Sequence, residues 1–122
     1  MKVLMVDDEE DIRKVGRLSL ESVGHFTTAV AASAEEGLGV AESFQPDVIL
    51  MDMMMPGMDG LEALASILSN DRLRHIPVVI MTAKVQRAEI ALYLQRGAIG
   101  VIQKPFDPLT LPDQLRELLA AR

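Results

Sequence analysis

Polar side chains follow four short apolar segments of this sequence. Asp52 ends the apolar run 48–51, where a carboxylate is costly to keep ionised unless a cation, a hydrogen-bond donor or solvent meets it. Comparable positions after the other apolar segments hold Asp7 and Asp8, Thr82, and Lys104. Because the carboxyl ends of parallel strands meet at one edge of a sheet, side chains far apart in sequence can converge there.

The residue types at these positions predict a particular chemistry. Three carboxylates close together repel one another unless a cation lies among them, and oxygen-only ligation suits Mg²⁺. A hydroxyl from Thr82 and an ammonium from Lys104 are suitable partners for an anionic group. Thr82 taken alone also fits a helix cap. Together the residues predict a site that holds a phosphoryl group on or near Asp52.

The segments that must position these residues alternate between two patterns. Short apolar runs bounded by turn residues predict buried parallel strands at 2–6, 26–30, from 48 to about Asp52, 76–81 and 99–103. Helical spacing of apolar residues predicts helices after the acidic run 7–11, from 34 to about 44, and over 60–70, 85–95 and 109–121. This alternation predicts one doubly wound α/β domain over residues 1–122, with right-handed crossovers.

Composition excludes several classes of protein. The absence of Cys excludes disulfides and thiolate metal sites. A net charge of -6 and 3% aromatic residues argue against direct nucleic-acid binding, which needs basic clusters and stacking platforms. The apolar N-terminus is too short and too quickly followed by acids to be a signal peptide, and no segment is long enough to span a membrane. We therefore expect a cytoplasmic protein.

Further residues complete a pattern that resembles the receiver domain of bacterial two-component response regulators. Its pieces occur in order at matching spacing over essentially the whole chain: Asp7-Asp8, Asp52, Met55-Pro56-Gly57-Met58-Asp59-Gly60, Thr82-Ala83, Gly97-Ala98-Ile99-Gly100 and Lys104-Pro105-Phe106. Each piece is weak alone, whereas the ordered set is specific. The resemblance implies a flavodoxin-like five-stranded parallel sheet of strand order 2-1-3-4-5 with helices on both faces.

The resemblance also implies roles for the acidic residues. Asp52 corresponds to the nucleophile that accepts a phosphoryl group from the phosphohistidine of a histidine kinase or histidine phosphotransfer protein. Asp7, Asp8, Asp52 and the backbone carbonyl of Met54 correspond to the ligands of Mg²⁺. Such a protein is a signalling domain that catalyses only its own phosphorylation and dephosphorylation.

The remaining polar residues correspond to parts of a switch. Thr82 resembles a hydroxyl that moves to bind a phosphoryl oxygen, and Lys104 an ion-pairing lysine whose bond to Pro105 is cis. Phosphorylation would reshape the surface of the fourth helix, fifth strand and fifth helix, which a downstream protein or output domain reads. Homodimers through that surface are common among relatives.

Val101 departs from the family pattern, which usually has an aromatic residue three positions before the lysine. Valine cannot make the inward rotation of that aromatic ring. One alternative is therefore an interaction module that works without phosphorylation. A second alternative is a Mg²⁺-dependent phosphohydrolase, which is disfavoured because haloacid-dehalogenase-like enzymes have a second acid where this chain has Met54.

Overall fold

The computed structural model describes residues 1–122 and contains a five-stranded sheet. Its strands are β1 (Lys2–Val6), β2 (Thr27–Ala31), β3 (Val48–Asp52), β4 (Val78–Thr82) and β5 (Gly100–Gln103). They lie in the order β2-β1-β3-β4-β5, and every neighbouring pair is parallel. The α/β fold class and the strand order implied by the resemblance are therefore confirmed.

Five α-helices connect the strands. They are α1 (Glu10–Leu18), α2 (Ala34–Phe44), α3 (Gly60–Leu68), α4 (Arg87–Gln95) and α5 (Leu111–Ala121), and α1 continues into a π-helical turn at Ser19–Val23. The alternation of strands and helices agrees with the sequence pattern, and the differences lie at the element boundaries.

Both α4 and α5 begin two residues later than their apolar spacing predicts. Before α5, a carboxylate oxygen of Asp107 accepts the backbone N–H of Leu109 at 2.9 Å. Before α4, the hydroxyl of Thr82 accepts the backbone N–H of Lys84 at 3.0 Å. Such local side-chain bonds to the backbone favour a turn over the first residues of a helix, which delays the helix start.

The sheet divides the core into two layers because successive strand residues point to opposite faces. One layer lies under α2, α3 and α4 and includes Leu4, Val6, Ile49, Met51 and Ile80. The other lies under α5 and the π-helical turn and includes Val3, Met5, Leu50, Val79 and Met81. Each such side chain stabilises the fold by about 1.5–3 kcal/mol when fully buried, so the central strands are a rigid base for the residues at their ends.

Gly60 allows the start of α3 to approach the end of β3. A Cβ atom at this position would lie 2.8 Å from the carbonyl oxygen of Asp52 and 2.8 Å from the Cα of Met53. The N–H of Gly60 donates a 2.9 Å hydrogen bond to the carbonyl of Met53. The absence of a side chain at residue 60 therefore fixes the loop that follows Asp52. None of the helices combines the length and apolarity that a membrane crossing needs.

Candidate functional site

The strand ends bring the predicted polar residues together at one edge of the sheet. Asp52 and Thr82 are the last residues of β3 and β4, Asp7 directly follows β1, and Lys104 directly follows β5. Asp7, Asp52 and Thr82 are almost completely buried, with 0%, 2% and 1% of their surface exposed. Buried polar side chains at the edge of an apolar sheet require partners. Here the partners are the ammonium of Lys104 and nearby backbone N–H groups.

Three carboxylates form the acidic part of the site. One carboxylate oxygen from each of Asp7, Asp8 and Asp52 lies within 4.8 Å of the others, and Asp8 alone is exposed. Oxygen ligands of a single Mg²⁺ lie at most about 4.2 Å apart, so small side-chain rotations suffice to gather these three. The donor set is all oxygen and partly open to water, which fits Mg²⁺.

Lys104 supplies the positive charge that faces this cluster. Its Nζ donates a 2.9 Å hydrogen bond to Oδ2 of Asp7 and lies 3.4 Å from Oδ1 of Asp52. Burial acts to lower the pKa of Lys104, but the hydrogen bond to Asp7 and the charge of Asp52 outweigh it and raise that pKa. Lys104 is thus a permanent cation that bridges two buried carboxylates.

The pKa of the Asp52 carboxyl is raised in spite of this lysine. Burial, and then the charge of Asp7, raise the pKa of Asp52 from 3.8 to about 6, although Lys104 and the N–H of Met54 act to lower it. That N–H is 3.4 Å from Oδ1 of Asp52. A carboxylate with a raised pKa gains from a further positive charge, which supports the fit of a cation to the acidic cluster.

Thr82 lines the same cleft as Asp52. The cleft has a volume of about 230 Å³ and is lined by Glu9, Asp52, Met54, Thr82, Ala83 and Lys104. The hydroxyl of Thr82 accepts a hydrogen bond from the N–H of Lys84. The backbone carbonyl of Thr82 accepts a 2.9 Å hydrogen bond from the N–H of Lys104. The alternative of a helix cap is wrong for Thr82, because the N-cap of α4 is Gln86.

Two residues of the site have no clear signal in the sequence. Glu9 lies within the acidic run 7–11 that precedes α1, but it lines the cleft and its carboxylate lies 3.9 Å from Nζ of Lys104. Arg13 donates a 2.8 Å hydrogen bond from Nη1 to the backbone carbonyl of Asp7. A contact to a backbone atom leaves no pattern of residue types, so sequence reasoning could not find Arg13.

Val101 stands where the family usually has an aromatic residue, and the structure shows its surroundings. Val101 is half-buried and packs against the core layer that contains Tyr93 of α4, the only tyrosine of the chain. Its other side lines a groove of about 390 Å³ between β5 and α5, together with Ile102, Gln103, Gln114, Glu117, Leu118 and Ala121. The peptide bond between Lys104 and Pro105 is cis, as the resemblance implied.

Comparison with known proteins identifies the same pattern. The family model described as the response regulator receiver domain matches residues 3–116. The chemotaxis protein CheY of Pseudomonas aeruginosa is 32% identical over 118 residues, which are 97% of this chain and 95% of that protein. The transcriptional regulatory protein AfsQ1 of Streptomyces coelicolor is 34% identical over 117 residues, which are 96% of this chain but 50% of the relative.

Solved structures agree with the sequence comparison. The chemotaxis response regulator CheY4 of Vibrio cholerae superimposes with a TM-score of 0.88 at 31% identity, covering 96% of this chain and 97% of that one. A response regulator from Chloroflexus aurantiacus superimposes with a TM-score of 0.86 at 27% identity, covering 98% and 97%. The likeness therefore extends over nearly the full length of each chain.

Proposed function

Because the chain belongs to the family of response regulator receiver domains, we propose that it accepts a phosphoryl group on Asp52 from the phosphohistidine of a histidine kinase or histidine phosphotransfer protein. The observation that carries the proposal is the position of the Asp52 carboxylate. It is 2% exposed, ends the central strand β3, borders the cleft, and lies between two acids and Lys104. Members of the family are signalling domains of two-component systems, and they bind Mg²⁺.

The transfer is a displacement at phosphorus. A carboxylate oxygen of Asp52 attacks the phosphorus atom, the P–N bond to the donor histidine breaks, and the electron pair remains on the imidazole nitrogen. Lys104 offsets the charge of Asp7 and of the incoming phosphoryl oxygens, and the hydroxyl of Thr82 turns towards one of these oxygens. Hydrolysis by water returns the free carboxylate and inorganic phosphate.

We assign the metal ligands to the acidic cluster. Asp7, Asp8, Asp52 and the backbone carbonyl of Met54 would hold Mg²⁺, and water completes its coordination. When bound, Mg²⁺ supplies positive charge that offsets the charge developing on the phosphoryl group. The proximity of three carboxylate oxygens and the raised pKa of Asp52 support this assignment.

The signal would leave the domain through the face formed by α4, β5 and α5. The groove that begins at Val101 lies on this face, and a downstream protein, an output domain or a second copy of the chain would bind there. We further propose that residues 1–122 act as one receiver domain in the cytoplasm, where the kinase presents its phosphohistidine.

A second candidate function is an interaction module that works without phosphorylation. Val101 favours it, because a valine on β5 offers no ring to follow the movement of Thr82. An output partner that binds wild-type protein and the Asp52→Asn variant with equal affinity would support the second candidate. The phospho-acceptor function would instead be supported if phosphorylation raised the affinity of wild-type protein for the partner. In that case Asp52→Asn should keep the affinity of the unphosphorylated protein.

Intact-mass measurement of phosphoryl incorporation tests the proposed function. Wild type, Asp52→Asn and Asp71→Asn are incubated with acetyl phosphate, with and without Mg²⁺. Asp71 is a matched control because its side chain is 90% exposed and lies outside the cleft. We expect a Mg²⁺-dependent phosphoryl adduct in wild type and Asp71→Asn and none in Asp52→Asn.

The same proteins, incubated with acetyl phosphate or with a phosphate ester, separate the remaining alternatives. No adduct in wild type, when a known receiver domain is labelled beside it, would overturn self-phosphorylation from small donors. Steady release of phosphate from a phosphate ester that depended on Asp52 would instead favour the phosphohydrolase.

A further inference from the structure

Three helices have glutamate at the third helical position, but only two of their starts are capped. Ser33 accepts the N–H of Glu36 at 3.2 Å before α2, and Asp59 accepts the N–H of Glu62 at 2.9 Å before α3. Gln86, the N-cap of α4, makes no side-chain hydrogen bond to the helix. The first N–H groups of α4 therefore lack the side-chain partner that the other two helices have.

The carboxylate of Glu89 is the corresponding acid of α4, and it is incompletely bonded. Its Oε2 is the only buried side-chain oxygen or nitrogen of the chain without a hydrogen-bond partner. In α2, Oε2 of Glu36 reaches back four residues and accepts the N–H of Ala32 at 3.2 Å. The residue four positions before Glu89 is Val85, whose N–H corresponds to that of Ala32. A carboxylate at a helix start is favoured by the helix dipole and by such a reciprocal bond.

The segment between β4 and α4 is instead held by Thr82. The hydroxyl of Thr82 accepts the N–H of Lys84, the residue next to Val85. If Thr82 turns its hydroxyl towards a phosphoryl group, as the proposed function requires, this bond breaks and residues 83–86 become free to move. The unbonded Oε2 of Glu89 then offers a buried acceptor at the start of α4 that lacks a partner.

We propose that Glu89 is a latch that responds to the phosphorylation of Asp52. In the unphosphorylated state the latch is open, with Oε2 of Glu89 unbonded and Thr82 bonded to Lys84. In the phosphorylated state the latch closes, because Glu89 accepts the N–H of Val85 and completes the cap of α4. The proposal rests on the proposed function and gives α4 a route of response that does not require an aromatic residue at position 101.

Hydrogen exchange at single backbone amides tests the latch. Exchange is compared with Mg²⁺ alone and with Mg²⁺ plus beryllium fluoride as a phosphoryl analogue, in wild type, Glu89→Ala, Glu89→Gln and Glu62→Ala. We expect the analogue to slow exchange of the Val85 amide about tenfold in wild type, which is the scale of one hydrogen bond. The slowing should be lost in Glu89→Ala and recovered in Glu89→Gln, whose amide oxygen is also an acceptor.

The variants separate failure of the latch from failure of the proposed function. Glu62→Ala removes the exposed acid at the equivalent position of α3 and should leave exchange at Val85 as in wild type. Equal slowing in wild type and Glu89→Ala, or no slowing in a wild-type protein that takes the phosphoryl group by intact mass, would overturn the latch alone. A wild-type protein that takes no phosphoryl group from acetyl phosphate or from a phosphohistidine donor would overturn both.

Discussion

Lys104 donates a 2.9 Å hydrogen bond to the carboxylate of Asp7, although the two residues are 97 positions apart in sequence. The side chain of Asp7 is 0% exposed and that of Lys104 is 14% exposed, so water screens the pair only weakly. Oδ1 of Asp52 lies 3.4 Å from the same ammonium. The three charges are therefore coupled, and a change in one alters the environment of the other two.

Replacing Lys104 with Met should destabilise the metal-free protein. The substitution leaves two buried carboxylates facing each other without a cation, and loss of one partner from a buried ion pair costs about 3–5 kcal/mol. We expect a loss near the lower limit, about 3 kcal/mol at pH 7, because protonation of Asp52 relieves part of the repulsion. Urea unfolding in the presence of a chelator measures the change.

Two controls define this result. Lys104→Arg keeps a positive charge and should retain most of the stability. Lys14→Met removes one partner of the exposed pair between Lys14 and Glu10, and it should change the free energy of unfolding very little. A Lys104→Met protein that unfolds at the wild-type urea concentration would contradict a stabilising role for the lysine.

The raised pKa of Asp52 predicts that the metal-free protein loses stability as the pH rises. The folded-state pKa, about 6, lies above the value of 3.8 for a free carboxyl, so the folded protein binds this proton more tightly than the unfolded chain. The stabilising contribution is present in full below about pH 4 and disappears as the pH passes about 6, and it corresponds to about 3 kcal/mol.

The Asp52→Asn variant isolates this contribution. Asparagine cannot ionise, so the stability of the variant relative to wild type should increase by about 2.5 kcal/mol between pH 4 and pH 7.5 when a chelator is present. Asp71→Asn, with an exposed side chain, should show no such trend. A constant difference between wild type and Asp52→Asn across this range would show that the Asp52 carboxyl is not perturbed.

Mg²⁺ should stabilise the folded protein by binding to the acidic cluster. An ion that binds only the folded state at 100 times its dissociation constant adds about 2.7 kcal/mol, which thermal unfolding detects as a higher Tm. Asp8→Ala should abolish the gain, and without Mg²⁺ it should leave the Tm unchanged or slightly higher, because it relieves repulsion with Asp7 and Asp52. Asp11→Ala removes an exposed acid from α1 and serves as the control. A gain that survives in Asp8→Ala would refute Asp8 as a ligand.

The positions of the main site residues could be predicted from sequence because the strands themselves are unambiguous. The runs that end at Asp52 and Thr82 are apolar on both faces, which is the pattern of central parallel strands, and parallel strands end at one edge. The order of the strands in the sheet, in contrast, could not be predicted from the apolar runs. Apolar runs do not record which strand lies beside which, so the order came from the family resemblance and was confirmed by the structure.

Features that depend on hydrogen bonds to backbone atoms could not be predicted. The contact from Arg13 to the carbonyl of Asp7, and the bond from Lys84 to the hydroxyl of Thr82, involve backbone groups that every residue has. The second bond also explains why α4 begins at Arg87 instead of Val85. Glu89 gives no sequence signal either, because its significance is the absence of a partner for a buried oxygen.

Gly60→Ala should impair both stability and phosphorylation, because the added methyl group would collide with the end of β3. A Cβ at position 60 meets the carbonyl oxygen of Asp52 and the Cα of Met53 at 2.8 Å, and both are backbone atoms that cannot rotate away. Overpacking of this kind costs about 1–3 kcal/mol and would displace the loop that carries Met54. Gly39→Ala is the matched control, because its added Cβ would meet nothing within 4 Å outside the local backbone of α2, and the helix should gain up to about 1 kcal/mol. Urea unfolding and the rate of labelling by acetyl phosphate measure the two effects. If Gly60→Ala were labelled at the wild-type rate, the approach of α3 to β3 would not control the geometry of the site.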